Sequence, residues 1–449
     1  MHSPSRIDLK QKAQPLPIEW AARALLHQLA MTAPPAAGSF IRLEHEVEHL
    51  DPFRVLASMP IGNRRYFRTR SGAVEVAGVG SVCDASTNLP TQVGGSAEAV
   101  VFTAAPFDPV RARDKVWNPF IEQRSVLPVI ELRRTVQGDR VRSVLAVHVV
   151  DMEFARASLE LLAEERQPKC SVDPAFTRVP VESDESAWTR AVRLGLQEIR
   201  QGKLRKVVLG RTARYIANAD IDPMQVLHRL AQTEPRSFRY LVEPQAGRAF
   251  VGVSPERLYS RVGRGLKSEA LAGTRPRGVD DVADQLMGEA LLSSAKDRRE
   301  HQFVVDRIRE VLEPMSETMR LDEEPRLLRL GYVQHLRTRI SVELREGFTD
   351  DALLAALHPT PAVSGSPVDD AAAAIRALEP FDRGLFAGPI GVRTAHAAEF
   401  AVGIRSALID GDSLTAFAGA GIVEGSDAAE EWRETAHKLL MFERLARPA

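Results

Sequence analysis

The chain has 449 residues, 44% hydrophobic and 27% charged, with a formal net charge of −1. A near-neutral chain has no global field to gather nucleic acid or an anionic membrane surface, and no apolar run reaches the roughly 18 residues of a bilayer span. Only two cysteines, Cys83 and Cys170, and no apolar signal-peptide core at the start argue against a disulfide framework or a thiolate metal site, so a cytoplasmic protein is expected.

An amphipathic helix is expected at Ile18–Leu29, ended by Pro34, Pro35 and Gly38. Up to about residue 180, alternation predicts strands at Phe40–Leu43, Ala73–Val79, Ala99–Thr103, Ser125–Val136 and Val141–Val150, with loops at Leu89–Ser96 and Phe107–Asn118. This half holds no compact polar constellation. Composition shifts near Ser183. Helical spacing then covers 186–201, followed by a short strand Lys206–Arg211 and a helix Pro223–Glu234. Strands follow at Ser237–Val242, Arg248–Val253 and Arg257–Ser260, then two long helices, Val282–Ser294 and Lys296–Leu312. Next come an element at Tyr332–Leu344, a helix near Thr349–Leu357, a Pro-rich turn His358–Pro367 and a helix Asp369–Leu378. Strands near Gly388–Arg393, Ala398–Ile409 and Ser413–Gly419 close the series. Helices and antiparallel-compatible strands are intermixed, which predicts an α+β fold.

The stretch Gly419–Asp427 reads as a Gly-rich loop feeding a helix. Gly419, Ala420 and Gly421 would let a ligand approach the backbone, and Ser426 or Asp427 would cap the helix. Glu431, Glu434 and Lys438 then fall at i, i+3 and i+7 on one helix face. Two carboxylates and an ammonium there suit Mg²⁺ with an anionic substrate, and suit a solvated salt-bridged face as well. Lys206, at the edge of an apolar strand, fits a half-buried base or a lysine snorkelling to solvent. Glu256 follows Ser254-Pro255, a rigid setting for a general acid, or for a turn Glu paired with Arg257. Around Thr274, Ala-Gly-Thr-Arg-Pro-Arg-Gly offers a hydroxyl and cations to an anion, or forms a basic turn. Glu300 opens a long helix as a cation ligand or as part of a charged first turn; without H-E-x-x-H or a nearby Cys, zinc is set aside. His335 and His358 are lone histidines. Arg405 lies in an apolar strand, where a buried charge needs a partner such as a substrate carboxylate, unless it faces solvent.

Taken in order, Lys-Val-Val-Leu-x-Arg, Ser-Pro-Glu-Arg-Leu, Glu-Ala-Leu-Ala-Gly-Thr, the Arg-Glu helix, His-Pro-Thr-Pro-Ala, Ile-Arg-Ser-Ala, Gly-Ala-Gly-Ile-Val and Glu-Trp-x-Glu-Thr resemble the chorismate-utilising enzymes, and within them the isochorismate synthases. The resemblance spans about 186–449; residues 39–180 match in general character only. It implies two large packed, mostly antiparallel sheets with helices outside, residues 1–182 lending strands to a catalytic region at 183–449. It further implies Lys206 as the base that activates water, Glu256 as the acid at the departing hydroxyl, and Glu300 and Glu434 as Mg²⁺ ligands with Glu431 and Glu269 beside them. Thr274, His335, Arg405, Gly419, Ala420, Gly421 and Lys438 would hold chorismate. Ammonia-using relatives typically carry Gln at the Lys206 position, and the chain has no glutaminase motif, so water is the expected nucleophile and no glutaminase subunit is expected; the resemblance also implies a monomer. Salicylate synthase, which adds pyruvate elimination, is the rival reading; His358–Ala362 resembles the isochorismate synthase version of that loop. A non-catalytic chorismate-binding relative would have been expected to lose one of these residues. Gly210, where relatives often have Ala or Ser, is a mild departure.

Overall fold

The computed structural model describes residues 17–59, 62–82, 98–111, 114–164, 175–331 and 333–445. The expected loop Leu89–Ser96 and both cysteines lie outside them. Two sheets, of 12 and nine strands, carry the fold; Phe176–Val179, beside Lys206–Ala217, and Arg326–Arg329, beside Val333–Leu344, lie off the two strand orders. The first runs from Ile41–Glu46 through Arg140–Val149, Ile130–Gln137, Val74–Val79, Arg64–Arg68, Phe238–Gln245, Arg248–Ser254, Ser406–Asp410, Ser413–Val423 and Lys206–Ala217 to Gly365–Ser366. The second runs from Ser316–Leu321 through Val333–Leu344, Gly265–Pro276, Arg257–Val262, Ala397–Val402, Pro389–Arg393 and Val101–Ala104 to Ser125–Val126. Strands from residues 41–149 thus pair with strands from 206–423 in both sheets.

Strand alternation builds two cores from one sheet. Tyr240, Phe250, Leu408 and Phe417 of the first sheet join Phe102, Tyr259, Ile340 and Phe400 of the second in one cluster. Their neighbours Leu241, Val251, Ile409 and Ala416 face the other way, onto helices Pro17–Ala30, Met152–Ala163, Pro223–Thr233 and Ala428–Leu445. The first sheet is therefore buried on both faces, and its central strands read as unbroken apolar runs.

That double burial hides two sheet crossings from the sequence. Ser125–Val136, expected as one strand, is Ser125–Val126 in the second sheet and Ile130–Gln137 in the first. Ala398–Ile409 likewise splits into Ala397–Val402 and Ser406–Asp410, one in each sheet. Arg405 is therefore in the crossing turn, not inside a strand, with a left-handed φ of 53°. Gly403 carries the only local signal: a Cβ there would stand 2.6 Å from the Leu385 carbonyl oxygen.

The expected Gly-rich loop at 419–421 is also strand. Ser413–Val423 pairs along its whole length with Lys206–Ala217, setting Gly419 opposite Gly210 and Gly421 opposite Val208. The loop shrinks to the turn before Ala428–Leu445, where the Asp427 carboxylate accepts from the Ala429 and Glu430 amides. Ser268–Gly278, one reading of which is a basic turn, mostly lies in strand Gly265–Pro276. Strand Arg64–Arg68 and helices Pro52–Ser58 and Met152–Ala163 have no counterpart among the expected elements. Arg64 and Arg65 are both buried against Glu243, 179 and 178 residues on. Among the described residues no helix is long and apolar enough to cross a membrane.

Candidate active site

A cleft is lined by strands of both sheets and by helices Ala295–Leu312 and Ala428–Leu445, enclosing about 1030 Å³ out to its open mouth. Glu256, Thr274, Glu300, His335, Arg405, Gly419, Gly421, Glu431, Glu434 and Lys438 all line it. Residues that span 183 positions of chain thus converge because strand ends and helix faces do. Lys206 lies one layer back. It opens its strand fully buried, with Nζ 3.0 Å from a Glu300 carboxylate oxygen but not aligned for a hydrogen bond. Gly421 makes room for this pair: a Cβ there would collide with the Glu300 carboxylate and come within 3.0 Å of Lys206 Cε.

Besides Lys206, two expected site residues are not in the cleft wall. Ala420, between two lining glycines, is buried in the hydrophobic core. Glu269 is no part of the cleft's acidic cluster. Both its oxygens accept from Arg70, at 2.7 and 2.9 Å, and one also faces the Arg257 amide at 3.3 Å. Its charge acts on Glu256 instead. Burial pushes the Glu256 carboxyl up to about 8, the nearby Glu269 charge adds to this, and Lys206 and Lys438 only partly oppose it. Glu256 is therefore protonated at neutral pH. Arg257 does not hold it, being paired with Glu399 at 2.7 Å.

His335 is held neutral. Burial drives it down to about 3, with Arg405 and Lys438 adding to the effect. Its Nδ1 lies 3.0 Å from Thr274 Oγ1, and its buried Nε2 has no partner among the described residues. Thr274 reaches this position through a bulge, the register slipping between Ala272 and Thr274 opposite Leu336 and His335. The Arg405 guanidinium has no carboxylate within ion-pair distance among the described residues, and burial lowers its pKa from the ordinary value.

The acidic wall is matched by lysines. Glu300 faces Lys206, Glu431 faces Lys296 at 3.2 Å, and Glu434 faces Lys438 at 2.7 Å. Burial pushes Glu431 up, and the Glu434 charge pushes it further. Burial acts on Glu434 in the same direction, but Lys438 and its other cationic neighbours outweigh it and lower its value. Asp297, one helical turn before Glu300, joins this wall, paired with Arg275 at 2.6 Å. Its only signal in the sequence is its i, i+3 spacing to Glu300. As these side chains stand, no three His, Cys, Asp or Glu donors among the described residues converge tightly enough to hold a metal ion. The donor chemistry nevertheless fits a hard cation: carboxylates from two helices face one space, each now balanced by an amine that a cation could replace.

The family model for chorismate binding enzymes matches residues 27–446. The chain belongs to this family. Among its relatives, isochorismate synthase MenF of Pasteurella multocida is 38% identical over 327 residues, covering 70% of this chain and 74% of that protein. The salicylate biosynthesis isochorismate synthase of Pseudomonas aeruginosa is 39% identical over 346 residues, covering 74% and 71%. Isochorismate synthase 2, chloroplastic, of Arabidopsis thaliana is 40% identical over 261 residues, 58% of this chain, and the match spans just under half, 46%, of the plant protein. In structure, this chorismate-binding enzyme is similar to MenF, the menaquinone-specific isochorismate synthase of Escherichia coli, with a TM-score of 0.85 and 28% identity over 95% of this chain and 99% of that one. Anthranilate synthase component I of Streptococcus pneumoniae shares the fold at a TM-score of 0.61 and 20% identity.

Proposed function

We propose that the protein is a Mg²⁺-dependent isochorismate synthase, adding water at C2 of chorismate as the C4 hydroxyl departs. The observation that carries this reading is the place of Glu256: a buried carboxyl in the cleft wall, which burial pushes up to about 8, with the buried amine of Lys206 close enough to act on its charge. Such a pair suits a reaction that needs a base and an acid at once.

In this reading Lys206 takes a proton from water as the new C2–O bond forms. The ring double bond shifts, the C4–O bond breaks, and Glu256 gives its proton to the departing oxygen. Chorismate loses one water and gains another, so the product is an isomer. Arg405, lacking a protein carboxylate, takes one substrate carboxylate, and the Thr274 hydroxyl stands beside it with neutral His335. Lys438 is anchored to the Gly419 carbonyl at 2.8 Å and so keeps a fixed position while Glu434 is recruited elsewhere. Glu300, Glu431 and Glu434, with Asp297, would hold Mg²⁺, which when bound neutralises the ring carboxylate and draws electron density from the reacting system. With water as nucleophile, no ammonia-supplying subunit is required.

The test is incubation of the purified protein with chorismate, with and without Mg²⁺, with products separated by chromatography. Isochorismate approaching equilibrium with chorismate, without pyruvate, is expected, along with loss of turnover in EDTA and in Glu434→Gln. Salicylate with pyruvate would make the protein a salicylate synthase, and full activity in EDTA would refute the metal assignment.

A further inference from the structure

Four described residues other than glycine have a left-handed backbone: His49, Asn63, Ala387 and Arg405. Only Ala387 and Arg405 line the cleft. They belong to one clip, in which the Ala387 amide donates to the Gly403 carbonyl at 2.9 Å and the Gly403 amide to the Gly388 carbonyl at 2.7 Å. A residue with a side chain keeps this conformation only where its surroundings over-determine it.

At Arg405 the two flanking peptide planes are each pinned. The Ile404 carbonyl, in the plane before Arg405, accepts from the Tyr240 hydroxyl at 2.9 Å. The Arg405 carbonyl, in the plane after it, accepts from the Val253 amide at 3.1 Å. Peptide planes are rigid, so holding the carbonyl oxygen of each restrains both torsions of the residue between them. Of these two bonds, only the one from Tyr240 comes from a side chain. The hydroxyl reaches the turn by crossing Gly252, its cross-strand partner, where a Cβ would collide with it. Tyr240 is fully buried and its ring stacks on Phe250 with centroids 6.0 Å apart, so the phenol has one position. Burial keeps the hydroxyl protonated far above its ordinary range, and it remains a donor. No carboxylate among the described residues stands within ion-pair distance of the Arg405 side chain to aim it, so its direction is set by the backbone that carries it.

We propose that Tyr240 is a positioning residue for substrate binding: by holding the Ile404 carbonyl it fixes the left-handed turn that points Arg405 at a substrate carboxylate. The proposal rests on the reading of Arg405 as the residue that binds that carboxylate. Tyr240→Phe removes one oxygen and keeps the ring. It should raise KM for chorismate about fivefold, the worth of one buried hydrogen bond, and leave kcat within twofold. Arg405→Ala should raise KM roughly a hundredfold, the scale of a lost charged pair. In the Arg405→Ala background, Tyr240→Phe should add nothing to KM, because both changes remove the same contact.

If Arg405→Ala raises KM and Tyr240→Phe does not, or if the two effects multiply, the positioning role is overturned while the Arg405 reading stands. If Arg405→Ala leaves KM unchanged, the reading of Arg405 falls and the proposal with it. A merely structural tyrosine would lower Tm equally in both backgrounds without moving KM. Should Tyr240→Phe fail to accumulate, Ser406→Ala gives the same comparison, since Ser406 Oγ donates to the Gly403 carbonyl of the same turn at 3.0 Å.

Discussion

Two sets of polar side chains in and behind the cleft wall are built on opposite principles. The first is Glu379 with Arg383. Both are buried, and every group has a partner: the guanidinium donates to Glu379 at 2.8 and 2.5 Å and to the Val363 and Val208 carbonyls at 2.8 Å, and lies 4.2 Å from the Phe107 ring centroid. The Gly210 amide completes it, donating to Glu379 at 2.6 Å. The second cluster is Lys206, His335 and Arg405. Lys206 and His335 are buried as deeply and Arg405 is half-buried, but Lys206 Nζ and His335 Nε2 lack an aligned partner, and no carboxylate among the described residues stands within ion-pair distance of Arg405. Charge satisfied within the protein holds the fold; charge left short of partners is held ready for a ligand. Burial alone does not separate the two, but hydrogen-bond completeness does.

The widest separation should come from cutting one member out of each cluster. Lys206→Ala is expected to lower kcat about a thousandfold, the scale of a lost general base, with little change in denaturation midpoint. Arg383→Met, which strands Glu379 in the interior, is expected to cost about 3–5 kcal/mol of stability. Its effect on kcat, measured on the folded fraction, should be far smaller than that of Lys206→Ala. Steady-state kinetics and chemical denaturation on the same two preparations decide this. A Lys206→Ala protein as destabilised as Arg383→Met would erase the distinction.

A pH series sharpens the contrast at Glu256. As the acid it must be protonated, so kcat/KM should fall as pH rises through about 8. Stability carries the same sign. Below the unfolded value near 4.5 both states are protonated and nothing is lost. Between there and about 8 only the unfolded chain ionises, so stability declines across that window and levels off above it. Glu256→Gln removes the ionisation, so at pH 8.5 it should be more stable than the parent, on the order of a few kcal/mol at most, while its turnover drops. Equal denaturation midpoints for the two proteins at pH 5 and at pH 8.5 would show that the carboxyl ionises freely in the folded chain.

What the sequence could yield here is what local spacing encodes. Glu431, Glu434 and Lys438 announce a shared helix face, and Ser-Pro-Glu announces a rigid carboxylate, because helical period and turn chemistry act over a few residues. The ordered series of such motifs was enough to point to the family and its two-sheet fold. Partners far apart in the chain leave no such trace. Glu269 sits among motif residues, yet its position is decided by Arg70, which is 199 residues earlier in a half of the chain with no visible constellation. The strained turn at Arg405 was hidden for a different reason. Strands buried on both faces have no polar beat to break, so a run that changes sheets reads as one strand.

The smallest expected effect concerns Gly210. Its φ is not left-handed, so alanine would ordinarily gain about 0.4–1 kcal/mol by restricting the unfolded chain. In this structure the added Cβ would stand 3.0 Å from a Glu379 oxygen and 3.2 Å from the Phe381 ring. A loosely held carboxylate would swing aside, and the alanine would stabilise. This one cannot, because the same oxygen is tied to Arg383 and to the Gly210 amide itself. Gly210→Ala should therefore destabilise by about 1 kcal/mol, with kcat unchanged. The sign of that change is a direct probe of how rigid the satisfied cluster is. A gain in stability would mean that Glu379 yields, and that complete hydrogen bonding in this wall does not amount to a fixed position.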